Sequence, residues 1–192
     1  MDSGKLCYNI DNVLGSTSAS IHLLAHAQGC LLYVSGSFLV FYSPKLDEQV
    51  AYLRHSSSLI TAIAVSFDEK LLAVADRAKP PTIAVYDISS LEGLRGTAVK
   101  PMLTLRGHKH NIDLLVWSPN GRYLLSISNH DGSMFLWERG ECLTKNRVSK
   151  SVGRAAFDWS GDLVTVGRGY LKVWRFANGE VVRKREEECW IM

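Results

Sequence analysis

His108, His110 and Asp113 stand close together in the chain, and imidazole and carboxylate groups at short spacing are the raw material of a metal site. A zinc site needs three or four such ligands, and no further one follows at a defensible spacing. His108 and Asp131 could also act as catalytic groups, but the motifs that would accompany them are missing. The chain has no Gly-x-Ser-x-Gly elbow, no phosphate loop of the Gly-Lys-Ser/Thr type and no Cys-x-x-Cys pair. Gly167-Arg168-Gly169-Tyr170 resembles a nucleotide loop only superficially. It lies between two apolar runs instead of opening a helix, and reads as a hairpin turn in which Gly167 and Gly169 supply the bend. No enzyme activity, metal or cofactor is expected on these grounds.

The elements around these residues carry more information than the residues themselves. Residues 105–138 read LRGHKHNIDLLVWSPNGRYLLSISNHDGSMFLWE. The segment holds a Gly-His pair, an apolar run, a Ser-Pro-Asn-Gly turn, a second run, an Asp-Gly turn and a third run ending in Trp-Glu. That order resembles one blade of a β-propeller of the WD-repeat type, which opens on Gly-His and closes on Trp-Asp. Weaker copies flank it. The aromatic that closes the third strand recurs as Tyr42, Tyr86, Trp137 and Trp174, at intervals of 44, 51 and 37 residues, scattered around the roughly 40–45 of such repeats. The first turn recurs as SFDEK (66–70), SPNGR (118–122) and WSGD (159–162), each between short apolar runs that read as strands.

The fold class is therefore expected to be all-β, with four blades at about 18–57, 58–107, 108–150 and 151–187. Residues 1–17 form an N-terminal segment whose GKLCYNIDNVL (4–14) is expected to act as a closing outer strand, and 188–192 form a tail. An insert, SSLEGLRGTAVKP (89–101), separates the third and fourth strands of the second blade. Rings of this type mostly have seven blades, so the chain is expected to be the first part of a larger propeller. Its open end faces would recruit a partner or self-associate.

The resemblance assigns His108, Ser126, Asp131 and Trp137 to a structural network, in which loop His, strand hydroxyl, turn Asp and closing Trp satisfy one another inside the blade. Ser128 is an alternative to Ser126. Other blades keep weaker positions. The second has His55 and Tyr86, with Ala73 at the hydroxyl position; the fourth has Thr165 and Trp174, without His or turn Asp.

Bulk properties agree with a folded binding module. The chain has 192 residues, 46% hydrophobic and 21% charged, with a net charge of +3. That bias is too slight to imply nucleic acid or a membrane as partner. Cys7, Cys30, Cys142 and Cys189 lack metal spacing and read as reduced thiols, which points to a cytoplasmic or cytoskeletal location. Lys145, Arg147, Lys150 and Arg154, continued by Lys172, Arg175, Arg183, Lys184 and Arg185, read as charge that protects edge strands or as a contact for an acidic partner.

The order of blades, from NVLG (12–15) through LVFYSPK, LITAIAVSFDEKLLAVAD and PPTIAVYDISSLE to DLVTVGRGYLKVWRF, resembles the N-terminal propeller of the mitogen-activated-protein-kinase-binding and microcephaly-associated WD-repeat scaffolds. That resemblance implies a non-enzymatic protein-interaction scaffold in kinase signalling or at the spindle or centrosome, with kinases or microtubule and centrosomal components as partners. The loops before the first strand and between the second and third would form the partner face, with Arg54, Lys109, His110, Asn129, His130 and Arg168 as its exposed groups. The alternatives are a phosphoinositide-binding propeller or a non-functional fragment of a longer scaffold. Against the lipid reading, Leu94-Arg95-Gly96 and Leu105-Arg106-Gly107 carry one arginine where lipid-binding propellers carry two.

Overall fold

The computed structural model describes residues 23–91, 94–96, 99–148, 152–177 and 180–188. The expected closing strand at 4–14 lies outside these residues. Four sheets, each built on four antiparallel strands, follow one another along the chain. The first holds β1 (Leu24–Ala27), β2 (Cys30–Ser35), β3 (Phe38–Ser43) and β4 (Glu48–Arg54). The second holds β5 (Ile60–Val65), β6 (Leu71–Asp76) and β7 (Thr82–Asp87). The insert then contributes β8 (Arg95–Gly96) before β9 (Leu103–Arg106) completes that sheet. The third consists of β10 (Leu114–Trp117), β11 (Tyr123–Ser128), β12 (Ser133–Glu138) and β13 (Glu141–Arg147). The fourth consists of β14 (Val152–Phe157), β15 (Leu163–Gly167), β16 (Tyr170–Ala177) and β17 (Glu180–Glu188). The first strands of successive sheets touch, β1 to β5, β5 to β10 and β10 to β14, so the sheets fan out from a common inner edge.

Side-chain alternation explains the stacking. Successive residues of a strand point to opposite faces, and a sheet between two others must be apolar on both. In β6 and β11 every residue but the first is buried, which accounts for the unbroken runs LLAVAD and YLLSIS. Leu32, Val34, Leu39 and Phe41 of the first sheet pack against Leu72, Val74, Ala84 and Tyr86 of the second. Ala73, Ala75, Ile83 and Val85 meet Leu124, Phe135 and Trp137 of the third. Leu125, Ile127, Met134 and Leu136 meet Leu163, Tyr170 and Trp174 of the fourth. The second, third and fourth sheets thus each offer the face bearing the closing aromatic (Tyr86, Trp137, Trp174) to the sheet before. On the outward face of the first sheet Leu24 and Leu31 remain exposed, as does Val166 on that of the fourth.

The recurring turns are built by side-chain oxygens that stand in for backbone partners. Ser66 Oγ donates to Asp68 Oδ1 at 2.6 Å, and Ser118 Oγ to Asn120 Oδ1 at 2.7 Å. In the fourth sheet the roles reverse, and Ser160 Oγ donates to Asp158 Oδ1 at 2.7 Å. The hairpin between β15 and β16 turns on Arg168-Gly169, because Gly167 already pairs with Tyr170.

The insert does more than connect. β8 runs parallel to β4, pairing Arg95 with Tyr52 and Gly96 with Leu53, so the second repeat lends a fifth strand to the first sheet. Leu94, just before it, is buried in the core between the two sheets.

Candidate functional site

The third sheet brings His108, Ser126 and Trp137 together. His108 Nε2 lies 2.7 Å from Ser126 Oγ, and the Trp137 indole N–H donates to the same oxygen at 2.8 Å. The opposite ring nitrogen, His108 Nδ1, meets Ser133 Oγ at 2.9 Å. The sequence reading missed Ser133, which stands between His108 and Asp131; Asp131 Oδ1 accepts the Ser133 backbone N–H at 3.0 Å. Ser133 could have been suspected from its place at the start of β12, directly opposite Ser128. The His108 ring also stacks on Phe135 at 4.1 Å between centroids. Burial pushes its pKa down to about 4, against the opposing pull of Asp131, and Lys145 adds to the lowering. Burial raises the Asp131 carboxyl, but hydrogen bonds from Ser133 and the charge of His110 outweigh it and leave its pKa lowered.

Glycines on both sides of this network are required by space. A Cβ on Gly107 would approach Phe135 Cε2 to 2.9 Å, and one on Gly132 would approach the Val148 carbonyl oxygen to 2.7 Å. Gly132 also has φ of +70°, a conformation that costs a side-chain-bearing residue roughly 1–2 kcal/mol. Gly132→Ala is expected to lower stability by at least that amount in urea denaturation. An unchanged midpoint would show that the turn can relax without loss.

The second sheet solves the same problem with other groups. Its register sets Val74 opposite Ala84, as Ser126 stands opposite Phe135, so Val74 and not Ala73 fills the hydroxyl position. With no hydroxyl there, the Tyr86 side chain reaches His55 directly, its oxygen 2.9 Å from Nδ1. His55 Nε2 lies 3.3 Å from Asp76 Oδ2. Asp76, overlooked in the sequence, also accepts the backbone N–H groups of Ala78 and Thr82 and the Thr82 hydroxyl. Burial would raise its pKa, yet the bonds from His55, Thr82 and Ala78 and the His55 charge hold it at about 2. Tyr86 is pushed up to about 12 by burial and by that carboxylate. In the fourth sheet the Trp174 indole donates to Thr165 Oγ1 at 2.9 Å.

The partner-facing candidates divide into two groups. Arg54, Lys109, His130 and Arg168 are exposed, and the His110 ring stacks on that of His130 at 3.9 Å between centroids. Asn129 is committed instead to structure: its N–H bonds Asp113 Oδ2 at 2.6 Å, and its side-chain amide donates across to the Val152 carbonyl at 3.0 Å. Asp113 is therefore engaged as well, and among the described residues no cluster of three or more metal-ligating side chains occurs. Several basic residues are also spoken for. Lys145 lies over Phe135, Lys172 over Trp174, and Arg175 is paired with Asp162 at 2.6 Å.

Comparison with known proteins agrees with this geometry. Residues 99–138 match the family described as "WD domain, G-beta repeat". The chain is 31% identical over 155 residues to mouse cilia- and flagella-associated protein 44, covering 77% of this chain and 8% of that protein. It is 26% identical over 171 residues to mouse mitogen-activated protein kinase-binding protein 1, covering 86% and 11%. With the fission-yeast target of rapamycin complex subunit wat1 it shares 27% identity over 100 residues, 52% of this chain and 29% of the relative. The chain thus spans less than a third of each of these relatives. The match begins at β9, the last strand of the second sheet, and runs through β10, β11 and β12 of the third; the second and fourth sheets carry partial versions of the same network, and the four sheets are blades of a WD-repeat β-propeller.

Proposed function

We propose that this chain is a non-enzymatic protein-interaction scaffold that presents partners with the rim holding Lys109, His110, His130 and Arg168. The observation that carries the reading is the enclosure of His108. It is 3% exposed, stacked on Phe135 and bonded at both ring nitrogens, so the most reactive-looking group of the repeat is consumed inside the sheet. What remains for recognition is a loop surface of cations and a stacked imidazole pair, suited to planar and acidic groups on a protein partner. Similarity to a mitogen-activated protein kinase-binding protein and a target of rapamycin complex subunit supports assembly into kinase complexes. One relative is a cilia- and flagella-associated protein by name, and a cytoplasmic, cytoskeletal setting is part of the proposal. Spindle or centrosome association is proposed on the same footing.

Affinity capture from cell extract tests this. The chain carrying alanine at Lys109, His110, His130 and Arg168 is expected to lose bound partners at least about ten-fold. Its melting temperature should stay within a few degrees, since these side chains lie on the surface. Equal capture by both forms would move the binding face elsewhere.

A further inference from the structure

The strands of the third sheet have two ends, and the loops discussed above occupy one of them. β11 runs from the turn at 118–122 to the turn at 129–132, so the first turns of the sheets gather on the opposite rim. Trp159 is 79% exposed there and Phe67 is 67% exposed, yet their rings meet edge to face at 5.2 Å. They come from the first turns of the fourth and second sheets, which are not neighbours, so the pair forms an aromatic ledge across the third. Beside it opens a cleft of about 470 Å³ between the third and fourth sheets, whose walls include Pro119, Tyr123, Leu136, Phe157, Trp159 and Phe176.

We propose that this cleft is a docking groove for an extended, proline-rich peptide segment carrying a basic residue. Three observations select that occupant. The walls carry four aromatic rings, Tyr123, Phe157, Trp159 and Phe176, and flat rings suit pyrrolidine rings, which bury apolar surface at little conformational cost. The polar groups on the walls include N–H donors, the Trp159 indole and the Asn120 amide, whose oxygen is already taken by Ser118 and Arg122. Such walls favour a chain rich in carbonyls and poor in N–H groups. Finally, both guanidiniums at the rim are neutralised, Arg122 by Glu138 and Arg175 by Asp162. Asp158, next to Trp159, is kept ionised by hydrogen bonds from Ser160 and the Asp162 backbone. The charge left beside the ledge is negative, which selects a cation on the peptide.

The groove is separate from the loop rim of the proposed scaffold reading, and each can fail without the other. The test titrates the full chain with a fluorescein-labelled peptide of repeating Pro-Leu-Pro flanked by Arg, and with a version having glycine for every proline. Saturable binding of the proline peptide alone is expected, weakened at least ten-fold by Trp159→Ala and two- to three-fold by Asp158→Asn, with melting temperatures unchanged. Absence of saturation, equal binding of the glycine peptide, or undiminished binding by Trp159→Ala would overturn the proposal. Concentration-dependent dimerisation that Trp159→Ala abolishes would likewise overturn it, by assigning the ledge to a second copy of the chain.

Discussion

Trp174→Ala is expected to destabilise the protein by about 3–5 kcal/mol, the range for removing a large aromatic from a packed core. Trp174 has no exposed surface, and it sits in the core shared by the third and fourth sheets with Leu136, Tyr170 and Leu163. The substitution also removes the indole N–H that satisfies Thr165, itself fully buried. Trp174→Phe separates the two contributions. It keeps most of the ring and loses only the donor, so a smaller loss of about 1–2 kcal/mol is expected. The shape of the transition matters as much as its midpoint. Among the described residues, the fourth sheet is held by one face only, and in a stacked array each unit is stabilised by its neighbours. The alanine variant should therefore lose its fourth sheet before the rest, giving a urea curve with a lower slope or two steps. A single transition at the wild-type midpoint would refute the packing described for this sheet.

Most of the architecture could be read in advance because β-structure writes itself locally. The hairpin turns at 66–70, 118–122 and 158–162 use Ser, Asp and Asn where their side chains cap the bend, and such residues between apolar runs are visible in any window of the chain. The parallel pairing of Arg95 and Gly96 with β4 could not be read. Two residues leave no periodicity, and their partners lie some forty residues earlier, across a sheet boundary. Leu94 looked like part of a polar insert and is instead core.

The polar networks were legible where they follow the repeat and obscure where they depart from it. His108 and Trp137, which the pattern singles out, meet at the Ser126 hydroxyl. Asp76 ends a strand, the usual place for a solvated turn acid, and only the fold reveals its burial against His55 and Thr82. The displacement from Ala73 to Val74 is one residue, and one residue reverses the face of a strand. Without the cross-strand register no sequence signal separates the two. Ser133 was hidden for another reason: it joins His108 to Asp131 only because the Gly132 turn folds it back beside both.

Acid should weaken the fold in two successive windows. His108 titrates at about 4 in the folded chain, below its ordinary value of 6.5. Between those limits the unfolded chain binds more protons, so the stabilisation is complete above about pH 6.5 and falls as pH drops towards 4. The shift corresponds to about 3 kcal/mol. Asp76 repeats the pattern lower down, since its folded value of about 2 lies under its ordinary 3.8. Its share, about 2 kcal/mol, is intact above pH 4 and lost as pH falls through 2. The two causes differ in kind. His108 is opposed to protonation by the apolar wall of Phe135 and Trp137, whereas Asp76 is held ionised by the donors around it. A His108→Asn chain should accordingly start less stable at pH 7 yet lose little between pH 6.5 and 4, while retaining the drop below pH 4. Urea midpoints at pH 7, 5.5, 4 and 3 measure both effects, and parallel declines in the two proteins across the upper window would show that His108 does not set it.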